Sequence, residues 1–198
     1  MKPDWSAAAS AYFSAFSRLL ERLEVTTRSG ESVPIDEGID SVVEVITSLK
    51  DGGGKALLIG NGGSAAIVSH VHNDLCKSVG VRAISFQDVP LLTAVANDHG
   101  YQTVFHRLVE LWADPLDLLI AVSSSGESEN IVKTAVLARD KGCRLVTFTG
   151  FGPGNRLRRL GDLNIYAPAS DYGYVEMAHS LIAHCITDRA TMRASARA

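Results

Sequence analysis

The stretch Lys55-Ala56-Leu57-Leu58-Ile59-Gly60-Asn61-Gly62-Gly63-Ser64 decides how this chain is read. A short continuous apolar run stops at a glycine-rich loop, and a helical pattern starts at Ser64. Such a run marks a strand buried on both faces. The glycines let the loop take positive φ and bring its backbone close to a ligand. The free N–H groups that open the next helix favour an anion at that point.

Downstream the same order recurs. Leu116–Val122 reads as a buried strand that runs into Ser123-Ser124-Ser125-Gly126-Glu127-Ser128, with a helix from Ser128 to Lys141 stopped by Gly142. Val81–Phe86, Arg144–Thr149 and Leu163–Ala167 read as further strands. Helices are expected over Ser64–Cys76, Val89–Ala96 and Thr103–Trp112, and from Tyr172 to about Arg189. Upstream, apolar residues at helical spacing predict a helix over 5–24. A second helix opens at Pro34-Ile35-Asp36 and stops at Asp51-Gly52-Gly53-Gly54. The polar stretch Thr26–Val33 between them is expected as a loop, and the tail from Thr191 to Ala198 is expected to fray. Strands alternating with helices of this length give an α/β fold, a doubly wound parallel sheet flanked by helices, with N-terminal helices added. The whole chain, 1–198, is expected to be one domain, with the helical extension over about 1–51.

The bulk numbers suit that reading. The chain has 198 residues, 46% hydrophobic and 21% charged, an ordinary globular balance. With 19 basic and 22 acidic residues the formal charge is −3, and no basic run points to nucleic acid or to anionic lipid. The apolar stretches fall short of the roughly 20 residues that cross a bilayer. The start, Met1-Lys2-Pro3-Asp4-Trp5, lacks a signal-peptide core. Cys76, Cys143 and Cys185 are too scattered for a disulfide framework or a Cys-type zinc site. A cytoplasmic protein of a reducing compartment is expected.

In doubly wound sheets, ligands sit outside the carboxyl ends of the strands. Asn61, Gly62, Gly63 and Ser64 from one loop, with Ser123, Ser124, Ser125 and Ser128 from the other, therefore read as a phosphate cradle made of neutral donors. The competing account makes the serines N-caps and turn formers. A rival ligand comes from Gly60-x-Gly62-x-x-Ala65, which fits the dinucleotide fingerprint, with Asp88 near the position of a ribose-binding acid.

Acid–base and metal candidates follow. His70 and Asp74 are four apart on one helix and share a face. Glu176 and His184 are eight apart, roughly 80° around the helix axis, so both can face one cleft. Imidazoles with carboxylates suit Zn²⁺ or another divalent metal. His179 competes with its neighbours for such a role, and His72, His99 and His106 are further histidines. Asn97 and Asp98 could hydrogen-bond sugar hydroxyls, or could simply end a helix.

Taken together, Gly60-Asn61-Gly62-Gly63-Ser64, Ala96-Asn97-Asp98, the serine loop and Glu176-Met177-Ala178-His179 with His184 resemble the sugar isomerase (SIS) domain, and within it the phosphoheptose isomerase family. The resemblance covers nearly the whole chain. It implies an aldose–ketose isomerase that converts sedoheptulose 7-phosphate to a heptose 7-phosphate aldose, working as a zinc-binding homotetramer with active sites between subunits. It implies phosphate binding by Ser64, Ser123, Ser124, Ser125 and Ser128, and a substrate contact at Asp98. It also implies a metal held by His70, Asp74, Glu176 and His184, with Asp74 and His184 catalytic. The chain departs from the family's pattern at three places. Asp74 stands where a glutamate is usual, Glu176 where a glutamine is usual, and Ser78 where a basic residue is usual. A SIS module without catalysis, replication-initiator-associating or a sugar-phosphate sensor, is the other class. An isomerase of a different ketose phosphate is a third reading.

Overall fold

The structure, a computed structural model, describes residues 8–196. In chain order its elements are α1 (Ala9–Leu20), β1 (Glu24–Thr27), β2 (Ser32–Val33), α2 (Ile35–Gly52), β3 (Ala56–Gly60), α3 (Gly63–Asp74), β4 (Ala83–Ser85), α4 (Val89–His99), α5 (Val104–Trp112), β5 (Leu118–Ser123), α6 (Glu129–Asp140), β6 (Arg144–Thr149), β7 (Leu163–Tyr166) and α7 (Tyr172–Ser195). A π-helical turn, Leu75–Val79, prolongs α3, and a 3₁₀ turn, Tyr101–Thr103, joins α4 to α5.

Successive residues of a strand face opposite sides, and the decisive stretch shows it. Ala56 and Leu58 of β3 pack with α2, α3 and α7, among them Val42, Ile46, Val68 and Ile182. Leu57 and Ile59 pack with α5 and α6, against Val104, Leu108, Ile131 and Ala135. The neighbouring β5 divides in the same way, Ile120 and Val122 to the first layer, Leu119 and Ala121 to the second. Both faces of the sheet are therefore covered, and each fully buried Leu or Ile contributes about 1.5–3 kcal/mol.

The sheet runs β2-β1-β7-β6-β5-β3-β4. From β4 to β7 its neighbours are parallel, as the alternation of strands and helices requires. The chain leaves β3 for β4 on one side, then returns past β3 to β5 and continues to β6 and β7. The direction of winding reverses between β3 and β5, so the crevice for a ligand opens at their carboxyl ends.

Some expectations need correction. The stretch Thr26–Val33 is not all loop: Glu24–Thr27 and Ser32–Val33 form a hairpin, and β1 pairs antiparallel with β7. Val25 and Thr26 are buried on this added edge, so the sheet is mixed. The final helix continues to Ser195, beyond Arg189 and through much of the tail expected to fray, with Ala190 fully buried. Arg197 and Ala198 lie outside the described residues, as do residues 5–7 of the first expected helix.

Strands β6 and β7 also share a buried polar group. Asn164 Nδ2 donates to Thr147 Oγ1 at 2.9 Å and to Thr149 Oγ1 at 3.0 Å, and all three residues are fully buried. The Thr149 carbonyl accepts from His179 Nε2 at 3.0 Å.

Candidate active site

Gly60 and Val122 are partners in the ladder, so the loops after β3 and β5 leave the sheet side by side. Between them lies a cavity of about 230 Å³. Asn61, Gly62, Gly63 and Ser64 line one wall, Ser123, Ser124, Ser125 and Ser128 another, and Tyr172 and Glu176 of α7 close a third. The eight cradle residues read from the sequence thus meet in one place.

Hydrogen bonding separates the ligand reading from the capping reading. Ser128 is the N-cap residue of α6, yet its hydroxyl makes no cap bond and instead lies 3.5 Å from Ser123 Oγ. Ser123 Oγ and Ser125 Oγ accept loop N–H groups, from Gly126 and Glu127 at 3.2 Å. Ser124 Oγ is buried and has no partner among the described residues. An unmet buried hydroxyl costs about 1–3 kcal/mol, and an anion in the cavity would satisfy it.

Two features that the sequence did not announce hold the loops in place. The side chains of Asn61 and Asn130 bond reciprocally, each amide donating to the other's carbonyl oxygen at 2.9 Å, and Asn130 is buried. This pair bridges the β3 loop to the start of α6. Tyr101 OH adds a third bond, to Asn61 Oδ1 at 2.9 Å. The serine loop is clasped from outside by the segment after β6. Arg156 donates to Glu127 Oε2 at 2.7 Å and to Glu129 Oε2 at 3.0 Å, holding both carboxyls below their usual range by hydrogen bonding. Leu157 N donates to the Gly126 carbonyl at 3.0 Å. Gly126 has φ +66°, and a Cβ there would overlap the Asn155 carboxamide.

Helices α3 and α7 lie in step. A Cβ on Gly63 would overlap the Glu176 carboxylate, and eleven residues further along each helix Thr187 Oγ1 donates to Asp74 Oδ2 at 3.2 Å. The two helices therefore run parallel, and His70, Asp74 and His184 meet in the groove they form. His70 Nε2 is 3.5 Å and His184 Nδ1 3.8 Å from Asp74 Oδ2. The two imidazole rings are 4.5 Å apart between centroids. One ligand atom from each of the three residues lies within 4.8 Å of the others. Two imidazole nitrogens and a carboxylate oxygen fit a divalent cation such as Zn²⁺ with a further position left open. Glu176 stands outside this trio. It lines the cradle, and His184 is eight residues, about 12 Å of helical rise, beyond it.

Asn97 and Asp98 are not brought into the cavity. They are exposed on the last turn of α4, where Asn97 Nδ2 donates to Asp98 Oδ1 at 2.9 Å. Asp88 caps α4 by accepting from Leu91 N at 2.9 Å, which accounts for the acid that the dinucleotide reading needed. His179 points into the core, where burial pushes its pKa down to about 4. His72 Nδ1 lies 3.1 Å from Ser85 Oγ, and His106 lines a separate surface groove between α5 and α6.

The fold and this pair of sites define a class, the SIS-domain sugar-phosphate isomerases, and residues 11–150 match the family described as "SIS domain". The chain is 38% identical over 150 residues to a phosphoheptose isomerase of Helicobacter hepaticus, covering 73% of this chain and 76% of that one. It is 34% identical over 156 residues to a phosphoheptose isomerase of Geobacter sulfurreducens, covering 76% and 82%. The solved structure of a phosphoheptose isomerase from Francisella tularensis superposes with a TM-score of 0.80 at 26% identity, over 92% of this chain and 95% of that one. The chain belongs to the phosphoheptose isomerase family.

Proposed function

We propose that the chain interconverts a linear ketose phosphate and its aldose, with sedoheptulose 7-phosphate as substrate, by proton transfer through an enediolate. One observation carries the proposal: the two helices that supply walls of the anion cradle at their first turns, α3 and α7, also supply the His70–Asp74–His184 trio further along. With its phosphate among the serines, a sugar chain follows the α3–α7 groove toward the trio, a course that an extended ketose phosphate covers and an inorganic ion does not.

Isomerisation needs a base to remove a proton beside the carbonyl and an acid to return one to the neighbouring carbon or oxygen. Asp74 and His184 take these two roles, their atoms close enough to serve one pair of adjacent carbons. Thr187 fixes the Asp74 carboxylate by its hydrogen bond, and His70 flanks it from α3. His70, Asp74 and His184 would hold a divalent metal, Zn²⁺ in our reading, whereas Glu176, expected from the resemblance as a further ligand, faces the cradle about two helical turns before His184 and is left out of that set. Such an ion would polarise the substrate oxygens and stabilise enediolate charge. The aspartate in place of a glutamate shortens the reach of this acid, and the glutamate in place of a glutamine adds a negative charge beside the phosphate.

The protein is further proposed to act as a single domain, in the cytoplasm, and as a homo-oligomer, a tetramer. Phe13 on α1, Val89 and Leu91 on α4 and Met177 and Leu181 on α7 are exposed apolar groups that subunit contacts would cover. Among the described residues no helix is long and apolar enough to cross a membrane.

The test is turnover of sedoheptulose 7-phosphate by the wild type with and without chelator, and by the His184→Ala variant. Wild-type turnover is expected, with loss of at least about a thousandfold in the variant and phosphate-ester binding retained. Full activity of His184→Ala would sink the assignment. Absence of turnover with any ketose phosphate would sink the function.

A further inference from the structure

The loop after β6 contains a residue in an uncommon backbone state. Phe151 has φ +53°, a left-handed conformation that a bulky side chain rarely adopts. Its neighbourhood fixes it there from both ends. Phe151 N donates to the Ala169 carbonyl at 2.8 Å, and the Phe151 carbonyl accepts from Tyr166 OH at 2.7 Å. Strain of this kind persists where the surroundings over-determine it, and it gathers at functional sites.

What the strained residue supports is Tyr172. The two rings meet at 66° with centroids 5.0 Å apart, an edge-to-face pair. Tyr172 is the first residue of α7, and its N-cap, Asp171, anchors that turn by accepting from Tyr174 N at 3.1 Å. The Tyr172 ring is the one aromatic group among the described residues that line the cradle, and it remains 61% exposed. Its position is set by the ring of Phe151 and by the helix start, and its hydroxyl has no hydrogen bond among the described residues.

Apart from Val122, which is buried in β5, the other cradle walls are glycine backbone, serine hydroxyls, a carboxamide and a carboxylate. These recognise an anion and hydroxyl groups, and none of them offers an apolar surface on the solvent side to the carbons joined to that anion. We infer that Tyr172, held by Phe151, is a substrate-contacting specificity residue whose ring face covers the carbon chain next to the phosphate, so that the cradle selects phosphate esters over inorganic phosphate. The inference rests on the phosphate cradle and deepens the proposed function by naming the residue that reads the ester.

The probes are sedoheptulose 7-phosphate and inorganic phosphate, titrated calorimetrically into the wild type, Tyr172→Ala, Tyr172→Phe and Phe151→Gly. Tyr172→Ala is expected to weaken the sugar phosphate about tenfold and leave inorganic phosphate within about twofold. Tyr172→Phe should restore the wild-type ratio. Phe151→Gly, which relieves the backbone while removing the buttress, should give an intermediate ratio. In turnover assays the Tyr172→Ala effect should fall on KM, with kcat within about twofold. An unchanged ratio in Tyr172→Ala, or a wild type that binds both probes equally, overturns the inference. So does a change in oligomeric state in place of a change in ratio. A wild type that binds the ester preferentially but never turns it over defeats the isomerase reading, and the Tyr172→Ala binding ratio then still decides whether this ring reads the ester.

Discussion

Acidification should destabilise this protein through His179. The side chain is fully buried, its Nε2 bonded to the Thr149 carbonyl at 3.0 Å and its Nδ1 without a partner among the described residues. Because Nε2 faces a carbonyl it carries the proton, and Nδ1 is the bare nitrogen. A second proton on Nδ1 would place a charge in the core, where the neighbouring Phe148 ring lies 5.7 Å away between centroids and no acceptor is found among the described residues. Desolvation accordingly lowers the pKa from 6.5 to about 4. The sign follows from the two states. Above pH 6.5 the group is neutral folded and unfolded, and nothing is lost. As pH falls from 6.5 toward 4 the unfolded chain takes up a proton that the folded chain refuses, so folding stability declines. The loss approaches about 3 kcal/mol below both values and amounts to about 2 kcal/mol at about pH 5. Urea unfolding at about pH 7.5 and about pH 5 measures it, with His179→Gln as the reference that retains a donor toward Thr149 but does not titrate. The wild type should lose about 2 kcal/mol more than the variant over that interval. Parallel losses in the two proteins, or an imidazole resonance of His179 titrating near its ordinary value of 6.5 in the native state, would refute the reasoning.

Other expectations follow from the supports of the site. Asn130→Ala removes half of the reciprocal carboxamide pair and leaves Asn61 without that partner; a stability loss of about 1–3 kcal/mol in urea and a raised KM are expected. Thr187→Val keeps the shape of the buried side chain but deletes the donor to Asp74, so kcat should fall about tenfold while KM stays within about twofold, as steady-state kinetics would show.

The fold was legible because its parallel strands are buried on both faces. Leu57–Ile59 and Leu118–Val122 are unbroken apolar runs, and each ends in a loop whose glycines and serines have no other pattern to serve. The hairpin escaped notice for the opposite reason. Glu24–Thr27 and Ser32–Val33 are short, rich in hydroxyl and charged groups, and become strands because β7 offers an edge, a partner more than about 130 residues away in sequence. At the site, His70 and Asp74 are readable from their four-residue spacing and Glu176 and His184 from an eight-residue spacing that lets both face one cleft, while the family pattern adds their roles. That His184 joins the trio while Glu176 faces Gly63 depends on how α7 lies beside α3. His179 is three residues from Glu176 and looks equivalent along the chain, yet it turns to the sheet and caps the end of β6. Asn130, Tyr101 and Tyr172 carry no local signature, since each matters only once β3 and β5 are neighbours and α7 starts at their ends.

The in-step packing of α3 and α7 makes the site a matter of chain length as well as of residue identity. Both of its ends draw on the same pair of helices, two walls of the cradle at their first turns and the trio two to three turns on. A single residue inserted in α7 between Glu176 and His184 would swing everything after it by about 100° and about 1.5 Å, carrying His184 and Thr187 away from Asp74 while the cradle stayed whole. The molecule would then still grip an anion with nothing left to act on what is attached to it. Substitutions along this seam can be absorbed one at a time, whereas its spacing cannot drift, and the distance between anchor and acid–base pair behaves as a ruler cut into the two helices.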